Sequence, residues 1–312
     1  MSSLNKYESN TAVALEQTFY SLFVSKIYIL LELVKFRITV LVSFTTALGY
    51  FLASDNLGFG FIYPVVGIFL LACSSAALNQ LQESKTDMLM ERTRKRPLPS
   101  GKISRAGVMV ISLILLLSGS SILILKTNIG TLLTGLITFY WYNAVYTPLK
   151  KKTALAIIPG SLVGALPPLA GWLAGGGDLF DLQMGVVALY FFVWQIPHFW
   201  LLLLLYGSDF KKGGFPVLTD VYSELFIKKI TFVLLVATVL LGVLITFTGS
   251  GIYLASNILI YISSLLMIIE AFSFYVKNRY DRKDVVKTFV SINLYTLALI
   301  TILSADKLFF LL

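Results

Sequence analysis

Three oxygen-bearing side chains recur at every fourth position in one polar stretch of the sequence. They are Asn79, Glu83 and Asp87, at the start of the stretch NQLQESKTDMLMERTRKRPLPSG. On an α-helix, a step of four residues turns the chain by about 40° and advances it by roughly 6 Å, so all three lie along one face. An amide oxygen and two carboxylates are hard ligands that suit Mg²⁺, which is commonly bound together with substrate phosphates. The spacing therefore predicts a surface that binds a metal–diphosphate group.

The residues that follow this row are strongly basic. Arg92, Arg94, Lys95 and Arg96 come within ten positions of Asp87, and such side chains can neutralise phosphate oxygens. A simpler interpretation is a helix end with ordinary polar residues, followed by a loop whose positive charge orients it in a membrane. Carboxylates at the end of a membrane-spanning helix are costly and usually functional, which favours a binding site for the stretch as a whole.

Composition places the chain among polytopic membrane proteins of the all-α class. Of its 312 residues, 57% are hydrophobic and 13% charged, and the mean hydropathy is +0.83, far from a soluble average. The net charge of +9 could suggest nucleic acid, but the basic residues lie mostly in short loops, where they set membrane topology. We therefore expect no nucleic-acid partner. No GxxxxGK[ST] phosphate loop is present, which argues against a nucleotide-driven pump.

Apolar stretches of spanning length predict about nine transmembrane helices in a single bundle. A polar, cytoplasmic N-terminal tail is expected over residues 1–27 and one intramembrane domain over residues 28–312. The adjacent Pro167 and Pro168 predict a break or kink in the fifth span, and Glu270 is an intramembrane acid whose partner the sequence does not identify. The predicted spans are residues 28–53, 61–83, 105–125, 128–146, 155–174, 183–206, 230–248, 252–276 and 288–305.

The distribution of positive charge predicts the orientation of the bundle. If the N-terminus is cytoplasmic, all of the 25 Lys and Arg except Lys126 and Lys307 fall on the cytoplasmic side or close to it. The C-terminus is then expected on the opposite side. Residues 1–27 contain acidic residues, which transit peptides generally lack, and no cleavable signal is expected. Both features favour a prokaryotic plasma membrane.

Further polar segments end on the same predicted side. The fourth span leads into YNAVYTPLKKKT, which contains Tyr146 and Lys150, and the sixth span carries His198 before a loop with Asp209. Helices two, four and six thus each end in a segment that could bind phosphate.

These motifs resemble those of the UbiA-type intramembrane prenyltransferases, and within that family those of the haem farnesyltransferases. The resemblance extends over roughly residues 28–305, with departures at Glu83 and Phe36, where Asp and Pro are usual, and at Ser208, where a second Asp is common. The matching motifs are the Asn79–Glu83–Asp87 row, MERTRKRPL from Met90, YTPLKKKT from Tyr146, GALPPLAGW from Gly164, WQIPHFW from Trp194, DFKKGGFP from Asp209 and, more weakly, LVKFRIT from Leu33.

The resemblance implies a nine-helix bundle whose central cavity is accessible to lipid and capped by cytoplasmic loops. Farnesyl diphosphate would bind through Mg²⁺ held by Asn79, Glu83 and Asp87, with Asp209 approaching from the pseudo-symmetric half of the bundle. These four residues are the expected catalytic and metal-binding set. The expected diphosphate-binding residues are Arg92, Arg96, Tyr146 and Lys150.

The implied reaction attaches the farnesyl chain to a vinyl group of haem B and gives haem O, so haem B is a substrate and not a permanent cofactor. His198, the only histidine, could ligate the haem iron, hydrogen-bond a propionate or bond a neighbouring helix; the resemblance favours haem contact. Further expected partners are the lipid bilayer and a haem A synthase. The alternatives are an aromatic, quinone-precursor or chlorin acceptor, or a haem-binding scaffold or transporter.

Overall fold

The computed structural model describes residues 24–55, 58–248, 253–277 and 281–311, and this part of the chain contains helices and loops but no strand. The all-α prediction is therefore confirmed. We number the principal helices α1 Phe36–Ala53, α2 Ile62–Asp87, α3 Arg105–Lys126, α4 Ile129–Tyr140, α5 Leu162–Ala174, α6 Leu182–Lys212, α7 Glu224–Thr248, α8 Leu254–Val276 and α9 Arg282–Leu311.

Eight helices among the described residues are long and apolar enough to cross a membrane. The fourth predicted span differs, because α4 has only 12 residues and continues as a π-helical turn over Trp141–Tyr146. The Thr147 hydroxyl donates a hydrogen bond to the Tyr142 carbonyl oxygen at 2.9 Å inside this wider turn. π-helical turns often occur at functional sites, and this one belongs to the segment that carries Tyr146.

The first predicted span is interrupted at its polar end. Residues 24–33 are helical, but Lys35 has the left-handed dihedral angles φ 52° and ψ 48°, and α1 begins only after it. The Gln80 side-chain amide donates to the carbonyl oxygens of Glu32 and Leu33 at 3.1 and 3.0 Å. The Glu32 carbonyl oxygen also accepts a hydrogen bond from the Lys35 N–H group at 3.2 Å, and the Gln80 bonds join the end of the interrupted helix to α2. The residues before position 24, which make up most of the predicted tail, lie outside the described part.

Helices α1 and α5 approach each other closely through glycines. A Cβ atom on Gly49 would lie 1.9 Å from the Pro168 carbonyl oxygen, and one on Gly171 would lie 1.9 Å from the Thr46 carbonyl oxygen. Small residues allow this contact between helix backbones in membrane proteins. Helix α5 runs through Pro167 and Pro168 without the predicted break; the interruption comes earlier, where a short helix ends at Gly160.

The second half of the bundle has a continuous core that also includes buried side chains of α1 and α5. Buried side chains of α6, α7, α8 and α9 pack together there, including Tyr190, Leu235 and Ile292. The Tyr190 hydroxyl lies 2.9 Å from the Thr296 hydroxyl. The intramembrane acid Glu270 has two partners, an ion pair with Lys287 and a hydrogen bond from the Thr288 hydroxyl at 3.1 Å.

Candidate active site

The predicted oxygen row lies along the polar end of α2. Asn79, Glu83 and Asp87 all belong to this helix, and their exposed fractions are 0%, 4% and 0%. The helical spacing read from the sequence is therefore confirmed, and the shared face is directed into the protein. Buried carboxylates are expensive unless nearby groups compensate their charge.

Each member of the row has one cationic partner. The Lys35 ammonium donates to Asn79 Oδ1 at 2.8 Å, and Lys150 Nζ lies 2.6 Å from Glu83 Oε1. Arg96 Nη1 donates to both oxygens of Asp87, at 3.0 and 2.8 Å.

These three cations come from three different segments of the chain. Lys35 precedes α1, Arg96 belongs to the loop after α2, and Lys150 follows the π-helical turn of the fourth span. Three basic side chains and two carboxylates therefore converge on one buried face. The ion pairs with Lys150 and Arg96 offset part of the cost of burying the two carboxylates. The same groups have the chemistry to bind a phosphate or a divalent cation.

Aromatic rings surround the Lys150 ammonium. Its Nζ lies 5.4 Å from the ring centroid of Tyr146 and 5.9 Å from that of Phe215, distances at which a cation is attracted to a ring face. The Tyr146 side chain is buried, and its ring centroid is 5.6 Å from that of Tyr142. Tyr146 and Lys150, predicted as a diphosphate-binding pair, therefore lie together beside Glu83.

Asp209 has a different position from the row. Its carboxylate accepts hydrogen bonds from the backbone N–H groups of Glu91, at 2.7 Å, and Arg92, at 3.2 Å. The acid of the second half thereby holds the basic loop in place. Lys212 forms an ion pair with Glu91 in the same region, and its hydrogen bond keeps the pKa of the Glu91 carboxyl below its usual range.

The donor set suits a metal ion that a substrate helps to hold. Among the described residues, no three His, Cys, Asp or Glu side chains form a ready-made metal site. Two carboxylates and an amide oxygen on successive turns nevertheless provide the hard ligands that Mg²⁺ prefers, and Mg²⁺ is usually completed by waters and substrate phosphates. The chemistry of the row therefore fits a metal–diphosphate group, and Asp209 as a fourth ligand stays a prediction.

Arg92 packs against two aromatic rings, whereas its predicted companion Arg96 contacts Asp87. The Arg92 guanidinium carbon lies 5.5 Å from the ring centroid of Tyr206 and 5.7 Å from that of Phe210. Burial lowers the pKa of Arg92, and the positive charge of Arg96 adds to this effect. Because an arginine pKa is far above neutrality, the side chain stays charged.

His198 lies between aromatic rings in the membrane-spanning part of α6. Its ring centroid is 4.8 Å from that of Trp194 and 4.9 Å from that of Phe289 on α9. Its Nδ1 atom is buried and has no hydrogen-bond partner among the described residues. The imidazole is thus packed among aromatic rings beside Asn293, with one buried nitrogen that lacks a hydrogen-bond partner in the described part of the chain.

Sequence reasoning missed two residues of the row's surroundings. Lys35 was noticed only within a weak motif, although a lysine at the end of an apolar stretch could have indicated a buried partner. Thr147, whose hydroxyl accepts a hydrogen bond from the Asn79 amide at 3.2 Å, carries no signal that would distinguish it from other threonines.

Comparison with known proteins agrees with this arrangement. The sequence profile described as the UbiA prenyltransferase family matches residues 42–297. The chain is 33% identical to a protein named protoheme IX farnesyltransferase from Flavobacterium psychrophilum, over 87% of this chain and 91% of that relative. A relative of the same name from Oleidesulfovibrio alaskensis is 34% identical over 60% of this chain and 66% of its own length, just under two thirds.

Two solved structures share the fold at low sequence identity. A digeranylgeranylglyceryl phosphate synthase has a TM-score of 0.73 and 18% identity, covering 91% of this chain and 99% of that one. A UbiA homologue from Archaeoglobus fulgidus, solved with GPP and Mg²⁺, has a TM-score of 0.62 and 18% identity, covering 88% of this chain and 99% of that one. The extent of the family match and the nearly full-length relative together lead to one conclusion: the chain belongs to the UbiA prenyltransferase family.

Proposed function

We propose that this protein transfers the farnesyl group of farnesyl diphosphate to a vinyl group of haem B and so forms haem O. The observation that carries the proposal is the buried row of Asn79, Glu83 and Asp87, each with its own cation. The acceptor and the prenyl length are inferred from the relatives named protoheme IX farnesyltransferase, one of which aligns along most of the chain.

The diphosphate would bind at the row. Asn79, Glu83 and Asp87 would hold Mg²⁺, with Asp209 as the proposed fourth ligand. When bound, the ion would withdraw negative charge from the leaving diphosphate. This role accords with the Archaeoglobus fulgidus homologue, whose structure contains both GPP and Mg²⁺.

The basic side chains would bind the phosphate oxygens directly. Arg96 and Lys150 already lie on the row, at 2.8 Å from Asp87 and 2.6 Å from Glu83, and Tyr146 and Arg92 complete the proposed set. As the bond between farnesyl C1 and the bridging oxygen breaks, its electron pair leaves with the diphosphate. Positive groups held in position stabilise this developing charge without having to reorganise.

The remaining steps need an apolar pocket and one water molecule. The π electrons of the haem vinyl group form the new carbon–carbon bond to farnesyl C1, which leaves a cation on the vinyl carbon next to the porphyrin ring. Water adds to that carbon and loses a proton, giving the hydroxyl group. Apolar surroundings, such as the rings of Trp194 and Phe289 beside His198, would protect the farnesyl cation from early hydrolysis. We propose that His198 contacts the haem through its unpartnered nitrogen.

The proposal includes a location and a partner. The protein would lie in a prokaryotic plasma membrane with its N-terminus in the cytoplasm and its C-terminus on the opposite side, as the positive loops predict. The active-site end of α2 would then face the cytoplasm, where farnesyl diphosphate is soluble. A haem A synthase is the proposed consumer of the product.

The experiment is mass spectrometry of haems extracted from cells that lack their own haem farnesyltransferase and express this chain. We expect a later-eluting haem that is heavier than haem B by one farnesyl group and one water, and that is absent from cells expressing Asp87→Ala. Only haem B in both cultures, with the protein present in the membrane, would refute this acceptor and turn attention to aromatic, quinone-precursor and chlorin acceptors. A farnesylated haem in both cultures would retain the reaction and refute the metal site.

A further inference from the structure

Three polar contacts connect α2 to the segment that runs from Asn143 in the π-helical turn to Lys150. Each contact joins one side chain of α2 to one side chain of that segment: the Asn143 amide donates to the Ser75 hydroxyl at 2.6 Å, the Asn79 amide donates to the Thr147 hydroxyl at 3.2 Å, and Lys150 Nζ lies 2.6 Å from Glu83 Oε1. The members on α2 recur at every fourth position, so the contacts follow one another along the face that carries the acidic row. The contact at Asn79 is the middle one and is held in register from both sides.

The side-chain amide of Asn79 has a defined orientation, because its two ends meet partners of different chemistry. An ammonium group can only donate, so the Lys35 contact of 2.8 Å requires Oδ1 on that side. The amide nitrogen Nδ2 then faces the Thr147 hydroxyl. The exposed fractions of Asn79 and Thr147 are 0% and 1%, so bulk solvent does not reach this pair.

The Thr147 hydroxyl is limited to the role of acceptor towards Asn79. Its single hydrogen is donated to the Tyr142 carbonyl oxygen at 2.9 Å, which leaves only its oxygen lone pairs for the amide. If the Asn79 amide were reversed, its oxygen would face a hydroxyl that has no hydrogen left to donate. Its N–H groups would then face the ammonium of Lys35. Both ends of the amide therefore favour the same orientation.

The π-helical turn provides the carbonyl group that fixes the Thr147 hydroxyl. In an α-helix the Tyr142 carbonyl would accept the N–H group of Tyr146, four positions later. Here it accepts the N–H group of Thr147, five positions later. The backbone N–H and the hydroxyl of Thr147 thus bind to one carbonyl oxygen, and the hydroxyl hydrogen is directed away from Asn79.

We infer that Thr147 is a positioning residue for the metal–diphosphate group: it acts through Asn79, whose amide it holds with Oδ1 towards the ion. The inference rests on the proposed function. Mg²⁺ binds the oxygen of an amide side chain, whereas the N–H groups of a reversed amide would repel it. A residue that orients a metal ligand changes the affinity for the metal without touching it. The π-helical turn is thereby assigned a purpose, which is to fix the acceptor that orients Asn79.

The test measures metal binding separately from turnover, on the full-length protein in detergent. Two variants remove the hydroxyl, Thr147→Val with its shape kept and Thr147→Ala with a smaller side chain, so that the loss is measurable even where one of them does not fold. Thr147→Ser keeps the hydroxyl. The matched control is Thr238→Val, because Thr238 is 1% exposed and its hydroxyl donates to the Leu234 carbonyl oxygen at 2.8 Å within α7.

Two quantities are recorded for each variant. Electron paramagnetic resonance of free Mn²⁺, which shares the preference of Mg²⁺ for oxygen ligands, gives the affinity for Mn²⁺ in the presence of inorganic diphosphate. Turnover at saturating farnesyl diphosphate gives kcat and the Mg²⁺ concentration needed for half-maximal rate.

We expect Thr147→Val and Thr147→Ala to weaken Mn²⁺ binding by about tenfold, as is common when a group that orients a metal ligand is removed. The Mg²⁺ concentration for half-maximal turnover should rise by a similar factor, and excess Mg²⁺ should restore kcat. Thr147→Ser and Thr238→Val should bind Mn²⁺ as the wild type does. In an Asn79→Ala background, Thr147→Val should cause no further loss, because no amide is left to orient.

Four results would overturn the inference. They are unchanged Mn²⁺ affinity without the hydroxyl, an equal loss of affinity in Thr147→Ser, a full further loss in the Asn79→Ala background, and a fall in turnover that excess Mg²⁺ does not restore. Because Mn²⁺ binding requires neither haem nor turnover, the two proposals fail separately. Binding that depends on Thr147 through Asn79, without any farnesylated haem, would refute the proposed reaction and keep the positioning role. Farnesylated haem with Mn²⁺ binding indifferent to Thr147 would refute the positioning role alone.

Discussion

The ion pair between Asp87 and Arg96 permits a direct test of whether the acidic row is chemical or structural. The exposed fractions of these two side chains are 1% and 17%, and Arg96 Nη1 contacts both carboxylate oxygens. The substitution Asp87→Asn keeps the shape of the side chain and removes its charge. It leaves the Arg96 guanidinium with one amide oxygen in place of a carboxylate.

The expected loss of stability follows from burial. Removing one partner of a fully buried ion pair costs about 3–5 kcal/mol. Because Arg96 is partly exposed and the amide of the new Asn can still accept one hydrogen bond, we expect about 1.5–3 kcal/mol for Asp87→Asn. The expected loss of turnover is larger. If Asp87 helps to hold the metal–diphosphate group, losing several kcal/mol of charge stabilisation lowers the rate by at least about 100-fold.

A double-mutant cycle with Arg96→Gln separates the two effects. Thermal unfolding in detergent measures stability, and chromatography with mass spectrometry measures farnesylated haem formed per minute. If the row is chemical, the double variant regains stability because no charge is left unpaired, but it stays inactive. Asp306→Asn is the matched control, since Asp306 is 6% exposed and accepts a hydrogen bond from the Tyr253 N–H group at 3.0 Å far from the row.

The reasoning would be refuted if the double variant recovered more than about a tenth of wild-type turnover, because a purely structural pair can be replaced by a neutral one. Equal losses of turnover in Asp87→Asn and Asp306→Asn would refute it as well. The cycle is informative because neighbouring residues that act together are not additive.

Three further predictions concern the backbone and the loops. Lys35→Gly and Lys35→Ala should weaken farnesyl diphosphate binding equally, because both remove the ammonium group. The glycine variant should unfold at a higher temperature than the alanine variant, because glycine avoids about 1 kcal/mol of left-handed strain at φ 52°. Equal unfolding temperatures would contradict this. In the same unfolding assay, Gly49→Ala should destabilise the protein by about 1–3 kcal/mol, because its Cβ would lie 1.9 Å from a carbonyl oxygen of α5. Gly185→Ala, whose Cβ would meet open space, should leave stability unchanged. Lys212 lowers the pKa of Glu91, so their ion pair should be fully present above the ordinary glutamate pKa and be lost as the pH falls through the depressed value. Protection of the loop against hydrogen exchange, corrected for the intrinsic exchange rate, should therefore fall on acidification; protection that fell as the pH rose through neutrality would contradict this.

Local pattern alone was sufficient for the helical architecture and for the row on α2. A period of four residues places Asn79, Glu83 and Asp87 on one face whatever surrounds them, because helix geometry is independent of tertiary contacts. Apolar length likewise predicted the spans, and the tight connection between α3 and α4 follows from the single polar step at Lys126 and Thr127. The fourth span is helical over nearly all of its predicted length, but the change to a π-helical turn over Trp141–Tyr146 has no signature in hydropathy.

Tertiary structure alone decided which charges meet. The sequence identified Arg96 and Lys150 as cations near an acidic row, but Lys35 joins them only because the chain breaks into a left-handed conformation before α1 and meets Asn79. Asp209, expected to approach from the pseudo-symmetric half of the bundle, also accepts hydrogen bonds from the backbone of the basic loop, a contact that no local pattern indicated. Ion pairs depend on distances between segments that are remote in sequence, and no local period encodes those distances.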